Sequence, residues 1–256
     1  MDMRFLFKRL ERNIVLTTSK PVRAVWAIGD LHLSIGLRPE LAKPMDIFGD
    51  FWQDHAEQIE NAWRLAVGPE DIVLIPGDIC WGNKPEDALP TLEWLAALPG
   101  QKILGRGNHD NWWQSIGRLR EQLPSGVQII HNDAVCIQGM AFGGSRGWSF
   151  FDQEGGHHQE KMMRREAMRL EASLSKFPQD ASVRFALLHF PPFKRPGVPS
   201  IFTDILQKYQ VNYCVYGHLH GDDCASFEPI LMNSTKFQLV SSDYLDFSPQ
   251  NIYNWY

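Results

Sequence analysis

Seven side chains of metal-binding type stand just beyond five short apolar runs of the chain. Asp30 and His32 follow residues 22–28, Asp78 follows 72–75, and Asn108 follows 102–104. His189 follows residues 185–188, and His218 and His220 follow 213–216. Apolar runs of this length bounded by Gly or Pro read as buried strands. In open α/β sheets, ligands gather beyond the carboxyl ends of strands, so five such ends place seven donors in one cleft. Residues two apart in an extended segment point to the same side, which predicts that Asp30 enters with His32 and His218 with His220. Carboxylate, imidazole and amide oxygen form a mixed oxygen and nitrogen set. Such a set suits manganese first, with iron or zinc as alternatives, better than calcium or magnesium, and the lack of cysteine argues against a structural zinc site. One ion takes about four protein ligands, so seven donors fit two ions about 3.5–4 Å apart that share a carboxylate. Two divalent ions, two aspartates and one hydroxide sum to about +1, a centre that attracts a phosphate ester.

The elements that must position these donors alternate between strand and helix, which indicates an α/β fold. Helical spacing runs over 50–67, over 85–97 with a proline suited to the first turn, over 111–123 and over 159–177. Residues 127–130 and 134–142 read as strands, and 236–241 is the clearest strand after His220. The segment 143–156, rich in glycine, aromatics and charge, is the least regular. The 256 residues contain 44% hydrophobic side chains, ample for a core, and carry a net charge of −5, which disfavours a broadly basic nucleic-acid surface. No run approaches the ~20 apolar residues of a membrane span. Residues 1–16 mix apolar side chains with Arg4, Lys8, Arg9, Glu11 and Arg12, and carry no cleavage signature. Cys80, Cys136, Cys214 and Cys224 are far apart, which fits reduced thiols in the cytoplasm.

The strings Gly29-Asp30-Leu31-His32, Gly77-Asp78, Gly107-Asn108-His109-Asp110, the lone His189 and Gly217-His218-Leu219-His220 together resemble the signature of the calcineurin-like metallophosphoesterases, in that family's order. The chain is most similar to bacterial phosphohydrolases of this type. The resemblance implies two stacked mixed β-sheets flanked by helices, a four-layer sandwich. With no linker or internal repeat in evidence, 1–256 reads as a single domain, with 143–177 as a candidate cap or insert. The resemblance also implies that Asp30, His32, Asp78 and His220 hold one metal and Asp78, Asn108, His189 and His218 the other, with Asp78 bridging. It implies hydrolysis of a phosphate ester, monoester or diester, by a metal-bridging hydroxide, with His109 protonating the leaving oxygen. Arg106 matches a phosphate-gripping arginine of the protein phosphatase branch, yet that branch carries an Asp-Arg-Gly where Asp78 is followed here by Ile79-Cys80-Trp81. That departure points away from a dedicated phosphoprotein phosphatase.

Other residues divide between chemistry and packing. Arg146, in a glycine-rich stretch, is a substrate-binding candidate beside Arg106, or else a surface arginine stacked on Trp148. Asp110 caps the following helix or orients His109. Of Trp112 and Trp113, one packs in the core and the other walls the pocket. Cys80 reads as a packing residue, His55 and His131 as structural, and His157 and His158 as solvated. Residues 161–165 read as the charged face of a helix. Two other function classes fit the same motifs: a non-catalytic module sensing a nucleotide or partner, and a nuclease, which the acidic balance disfavours.

Overall fold

The computed structural model describes residues 14–16, 21–150 and 156–255. Its layering follows from strand residues that alternate between two buried faces. In β3 (Ile72–Ile75), Ile72 and Leu74 join one apolar cluster while Val73 and Ile75 join another, and all four are buried. A strand apolar on both faces needs cover on both sides, which is the pattern of a parallel strand inside a layered α/β fold.

The first sheet has the order β12-β2-β3-β4-β5, formed by β12 (Gln250–Asn254), β2 (Ala24–Ala27), β3, β4 (Gln101–Leu104) and β5 (Val127–Ile129). β2 to β5 run parallel and β12 is antiparallel to β2. The second sheet combines β1 (Ile14–Leu16), β6 (Val135–Ile137), β7 (Met140–Ser145), β8 (Val183–Leu188), β9 (Tyr213–Tyr216), β10 (Ile230–Met232) and β11 (Thr235–Leu239). Its order is β1-β6-β7-β8-β9-β11-β10, with β7, β8, β9 and β11 parallel.

Three apolar clusters define the layers. One lies between the first sheet and the helices α1 (His55–Ala66), α2 (Pro85–Ala97) and α3 (Ile116–Gln122), with Trp63, Leu92 and Leu119 against Val73 and Leu104. The second lies between the sheets, with Ile72, Leu74 and Ile103 against Phe142, Phe185 and Val215. The third joins the second sheet to α4 (Gly156–Leu174) and α5 (Ile201–Lys208) through Leu170, Leu174, Phe202 and Leu206. This is the expected stack of two mixed sheets flanked by helices. No helix among the described residues is long and apolar enough to cross a membrane.

Several boundaries differ from the sequence reading. The helix expected over 50–67 divides into a 3-10 turn, Asp50–Trp52, and α1, because Asp54 takes a left-handed φ of 52° between them. The helix expected from 111 starts at Ile116, since residues 110–114 form turns tied to Asp110. The strand expected over 134–142 is the hairpin β6–β7, turned at Gln138 and Gly139, both at positive φ as a tight two-residue hairpin turn requires. Within 143–177, residues 143–145 complete β7 and Gly156–Leu174 form α4, while 151–155 lie outside the described residues. The reading of residues 1–13 likewise falls outside them.

Asp71 fastens the entry to the first sheet. Its buried carboxylate accepts from Ala24 N at 3.0 Å, Trp26 Nε1 at 2.9 Å and Gly68 N at 2.9 Å. It therefore joins the start of β2 to the α1–β3 loop. Asp71→Ala leaves these donors unpaired and should cost about 2–4 kcal/mol. A chain of this size should then melt on the order of 5–10 °C lower by calorimetry. An unchanged melting temperature would show that the carboxylate holds nothing together.

Candidate metal centre

The carboxyl ends of β2, β3, β4, β8 and β9 meet where the two sheets touch. Beyond β2 the backbone is stitched to the second sheet, with Gly29 N donating to Val240 O at 2.6 Å and Ser242 Oγ donating to Gly29 O at 2.7 Å. It is also stitched to the loop after β3: Asp30 N donates to Gly77 O, and His32 N to Asp78 O, both at 3.0 Å. The pairing of Asp30 with His32 thus arises differently from the extended geometry expected of it. Asp30 and His32 take left-handed φ values of 53° and 46°, with Leu31 fully buried between them. Asp78 and His218 are left-handed too, at 49° and 75°, while His220 is extended. Non-glycine residues in this region cost on the order of 1 kcal/mol or more each, and their clustering marks a functional site.

Each aspartate is clamped by backbone. Both oxygens of Asp30 accept from His218 N at 3.0 Å, and Asp78 Oδ1 accepts from His109 N at 2.8 Å. Glycine makes this approach possible. A Cβ on Gly217 would lie 2.0 Å from Asp30 Oδ2, and one on Gly107 2.0 Å from Asp78 Oδ1. The donor atoms form two groups, Asp30 with His32 and His220, and Asp30 with Asp78 and His189, within 4.8 Å in each. Asp78 Oδ2 lies 3.9 Å from His32 Nε2 and 3.5 Å from His189 Nε2, so this carboxylate also stands between the two imidazole sets. Asn108 Oδ1 is 2.6 Å from His189 Nε2, and the His218 ring is 5.1 Å from that of His189. All seven expected ligands are therefore brought together.

Electrostatics test whether a cation fits. Burial raises Asp30 to about 8, against the pull of His220, and raises Asp78 as well. Burial, reinforced by neighbouring histidines, pushes His32 and His189 far below the ordinary imidazole range and His218 to about 3. These rings are neutral lone-pair donors at physiological pH. His189 Nδ1 is buried and finds no hydrogen-bond partner among the described residues. Buried carboxylates facing neutral imidazoles are costly unless a cation compensates them, so the donor set fits divalent metal.

Two carboxylates absent from the ligand set hold it in place. Asp110 is fully buried and accepts from Gly107 N at 2.7 Å, Asp78 N and Ile79 N at 2.9 Å, and Trp112 Nε1 at 3.0 Å. It locks the loop after β3 to the loop after β4, rather than capping the helix that starts at Ile116. Burial, then Asp78, raise it to about 7. Asp243 Oδ1 lies 2.8 Å from His220 Nδ1, and its Oδ2 accepts from Gly221 N at 2.9 Å. Burial opposes charge on His220, but the hydrogen bond to Asp243 and the nearby carboxylates outweigh it and raise its pKa. Asp243 was not anticipated. It follows β11, a sixth strand end, and the Ser-Ser-Asp after that strand was the available signal.

His109 is half-buried and faces a recess of about 170 Å³ together with His32, Asp78, His218 and His220. Burial lowers its pKa, Asp78 opposes that, and Lys43 adds to it. The recess is walled by Trp52 and Trp81. Trp112 and Trp113 are both buried in the core, so neither forms the wall expected of one of them. Arg106 and Arg146 line a smaller neighbouring recess of about 30 Å³ with Arg169 and Glu166. Arg146 stacks on Trp148 at 4.8 Å, and its carbonyl accepts from His189 N. Cys80 is buried with its thiol pushed up to about 12, and all four cysteines are free. His157 and His158 are exposed on α4.

A family model described as calcineurin-like phosphoesterase matches residues 24–222. A stretch of 86 residues, 34% of this chain, is 38% identical to the Gene 66 protein of Mycobacterium phage D29, covering 40% of it. The Gene 66 protein of Mycobacterium phage L5 is 33% identical over 85 residues, 33% of this chain and 39% of that one. The chain thus spans about two fifths of the length of the curated relatives it matches. Among solved structures, the phosphopantetheinyl hydrolase of Mycobacterium tuberculosis has a TM-score of 0.56 at 14% identity, with 90% of this chain and 95% of that one covered. That likeness is one of fold.

Residues that orient a ligand imidazole typically change metal affinity 10- to 100-fold when removed. Asp243→Ala should therefore weaken manganese binding by about that factor in equilibrium dialysis, with the fold retained by circular dichroism. Undiminished affinity would exclude Asp243 from the support of the site.

Proposed function

The chain belongs to the calcineurin-like phosphoesterases, and on that premise we propose that it hydrolyses a phosphate ester with two divalent ions, manganese first and iron or zinc as alternatives. The observation that carries the reading is the convergence of Asp30, Asp78, His32, His189 and His220 into two donor groups that share Asp30. Asp30, His32, Asp78 and His220 would hold one ion and Asp78, Asn108, His189 and His218 the other, with Asp78 as the bridge. Ions held there would supply positive charge for the phosphoryl oxygens and would lower the pKa of a bound water.

The chain's own groups do the rest. Asp110 holds the loops of Asp78 and Asn108 in register, and Asp243 fixes the ring of His220. His109 faces the recess beside these ligands, and in its protonated, imidazolium form it is the proposed proton donor to the leaving oxygen, returning to neutral imidazole. Arg106 and Arg146 line the neighbouring recess, where the Arg146 carbonyl accepts from His189 N, and are proposed to add positive charge on the substrate's approach. One domain over 1–256 performs the reaction on this reading. The four free, buried cysteines support a cytoplasmic setting.

Metal-loaded protein should turn over p-nitrophenyl phosphate or its diester. In His109→Ala, both ions should stay bound while turnover falls about 10²–10⁴-fold on an alkyl phosphate ester, whose alkoxide leaves poorly. The fall should be smaller on the nitrophenyl ester, because nitrophenolate leaves with little help. Elemental analysis and kcat on the two substrates provide the measurement. Equal slowing on both would make His109 a positioning residue, and loss of ions would make it a ligand.

A further inference from the structure

The recess that contains His109 is polar on its floor and apolar on its walls. Asp78 and the imidazoles of His32, His218 and His220 form the floor, while Met45, Phe48, Trp52 and Trp81 form the walls. Among the described residues that line it, none is lysine, arginine or glutamate and Asp78 is the sole carboxylate, while Lys43 stands behind one wall with its Nζ 4.1 Å over the Trp81 ring. Trp81 lies stacked on His32, with centroids 4.7 Å apart at 22°, and its ring is also 4.7 Å from His109. Trp52 meets His32 and His220 edge-on at 6.2 and 5.7 Å. The aromatic wall is thus continuous with the ligand rings and the proposed acid.

Met45 and Phe48 belong to a short segment of two 3-10 turns, Met45–Phe48 and Asp50–Trp52, joined at Gly49 with φ 135°. There a Cβ would come within 2.4 Å of the Phe51 ring, so the sharp joint depends on glycine. Of the nine large apolar side chains exposed among the described residues, three lie in this segment: Ile47 at 73%, Phe48 at 60% and Phe51 at 51%. Apolar side chains concentrated in this way beside a pocket mark a surface that another apolar group covers. Phe48 is the one that also lines the recess.

We propose that the organic group of the substrate is uncharged and apolar, an alkyl or aryl alcohol component seated against Met45, Phe48, Trp52 and Trp81, and that these walls select such esters over phosphates of sugars and polyols. The inference rests on the phosphate-ester reading and deepens it. With the phosphoryl group on the floor and His109 beside the leaving oxygen, whatever that oxygen carries must enter the space between the four walls. A sugar or polyol placed there would exchange water for indole, phenyl and thioether surface, and its hydroxyls would lose hydrogen bonds. An alkyl or aryl group gains by the same exchange.

The test is kcat/KM of the metal-loaded protein on n-alkyl phosphates from ethyl to hexyl, on benzyl phosphate, and on glycerol and glucose phosphates. Burying a methylene should raise kcat/KM about three- to four-fold per carbon until the recess is full. Benzyl phosphate should stand near the top of the series and the two polyol esters at its foot. Phe48→Ser, at a position already largely exposed and so tolerant of change, should flatten this dependence, and Met45→Ser should flatten it further. A flat dependence on chain length, with the polyol esters turned over as well as the alkyl ones, would overturn the inference while leaving the hydrolase reading intact. Inactivity on all of these monoesters, with the nitrophenyl diester still turned over, would overturn the inference alone. Inactivity on the nitrophenyl diester as well, with both ions bound, would refute the hydrolase reading and this inference with it.

Discussion

Asp30 and Asp78 are carboxylates held out of water at the seam between two β-sheets, and the arrangement around them answers the cost of that burial. Both are raised in pKa by desolvation, and both face imidazoles that burial keeps neutral. Backbone amides of His218 and His109 satisfy part of each carboxylate, and Asp30 Oδ1 and Asp78 Oδ2 also face ring nitrogens of His220 and His189. A low-dielectric pocket with this donor set favours a multiply charged cation strongly over water or a lone proton. Such a cation would offset the charge of the acids and use the lone pairs of the rings.

The fold supplies the rigidity that the centre needs. Parallel strands bring their carboxyl ends to one edge, and backbone bonds from Gly29 to Val240 and from His32 to Asp78 extend the pairing past the strands proper. Asp110 takes five donors from two successive loops, so the turns carrying Asp78 and Asn108 cannot drift apart without leaving buried amides unpaired. The site is also two-faced. One flank carries the arginines of a small charged recess, and the other carries an indole and phenyl wall.

Much of this was legible in the sequence because the strands that matter are apolar on both faces and end in glycine or proline. β3 and β9 fall where the apolar runs place them, and all seven ligand candidates arrive at one centre. The left-handed turns at Asp30, His32, Asp78 and His218 were not legible, since none of these residues is glycine and the strain is imposed by tertiary hydrogen bonds. Asp243 was hidden because its loop lacks histidine. Trp52 and Trp81 were hidden because an isolated tryptophan reads as core whether it packs inside or walls a pocket. The late start of α3 has the same origin: Asp110 and Trp112 are recruited to the site, and helix begins only after that turn is complete.

The central claim is that these residues hold a pair of ions close enough to share a carboxylate. Electron paramagnetic resonance of the manganese-loaded protein, with the bound metal counted by elemental analysis, tests it most directly. Two ions about 3.5–4 Å apart through a bridging group should give two manganese per chain and the multiline spectrum of an exchange-coupled pair. A single manganese per chain with the six-line spectrum of an isolated ion would contradict it.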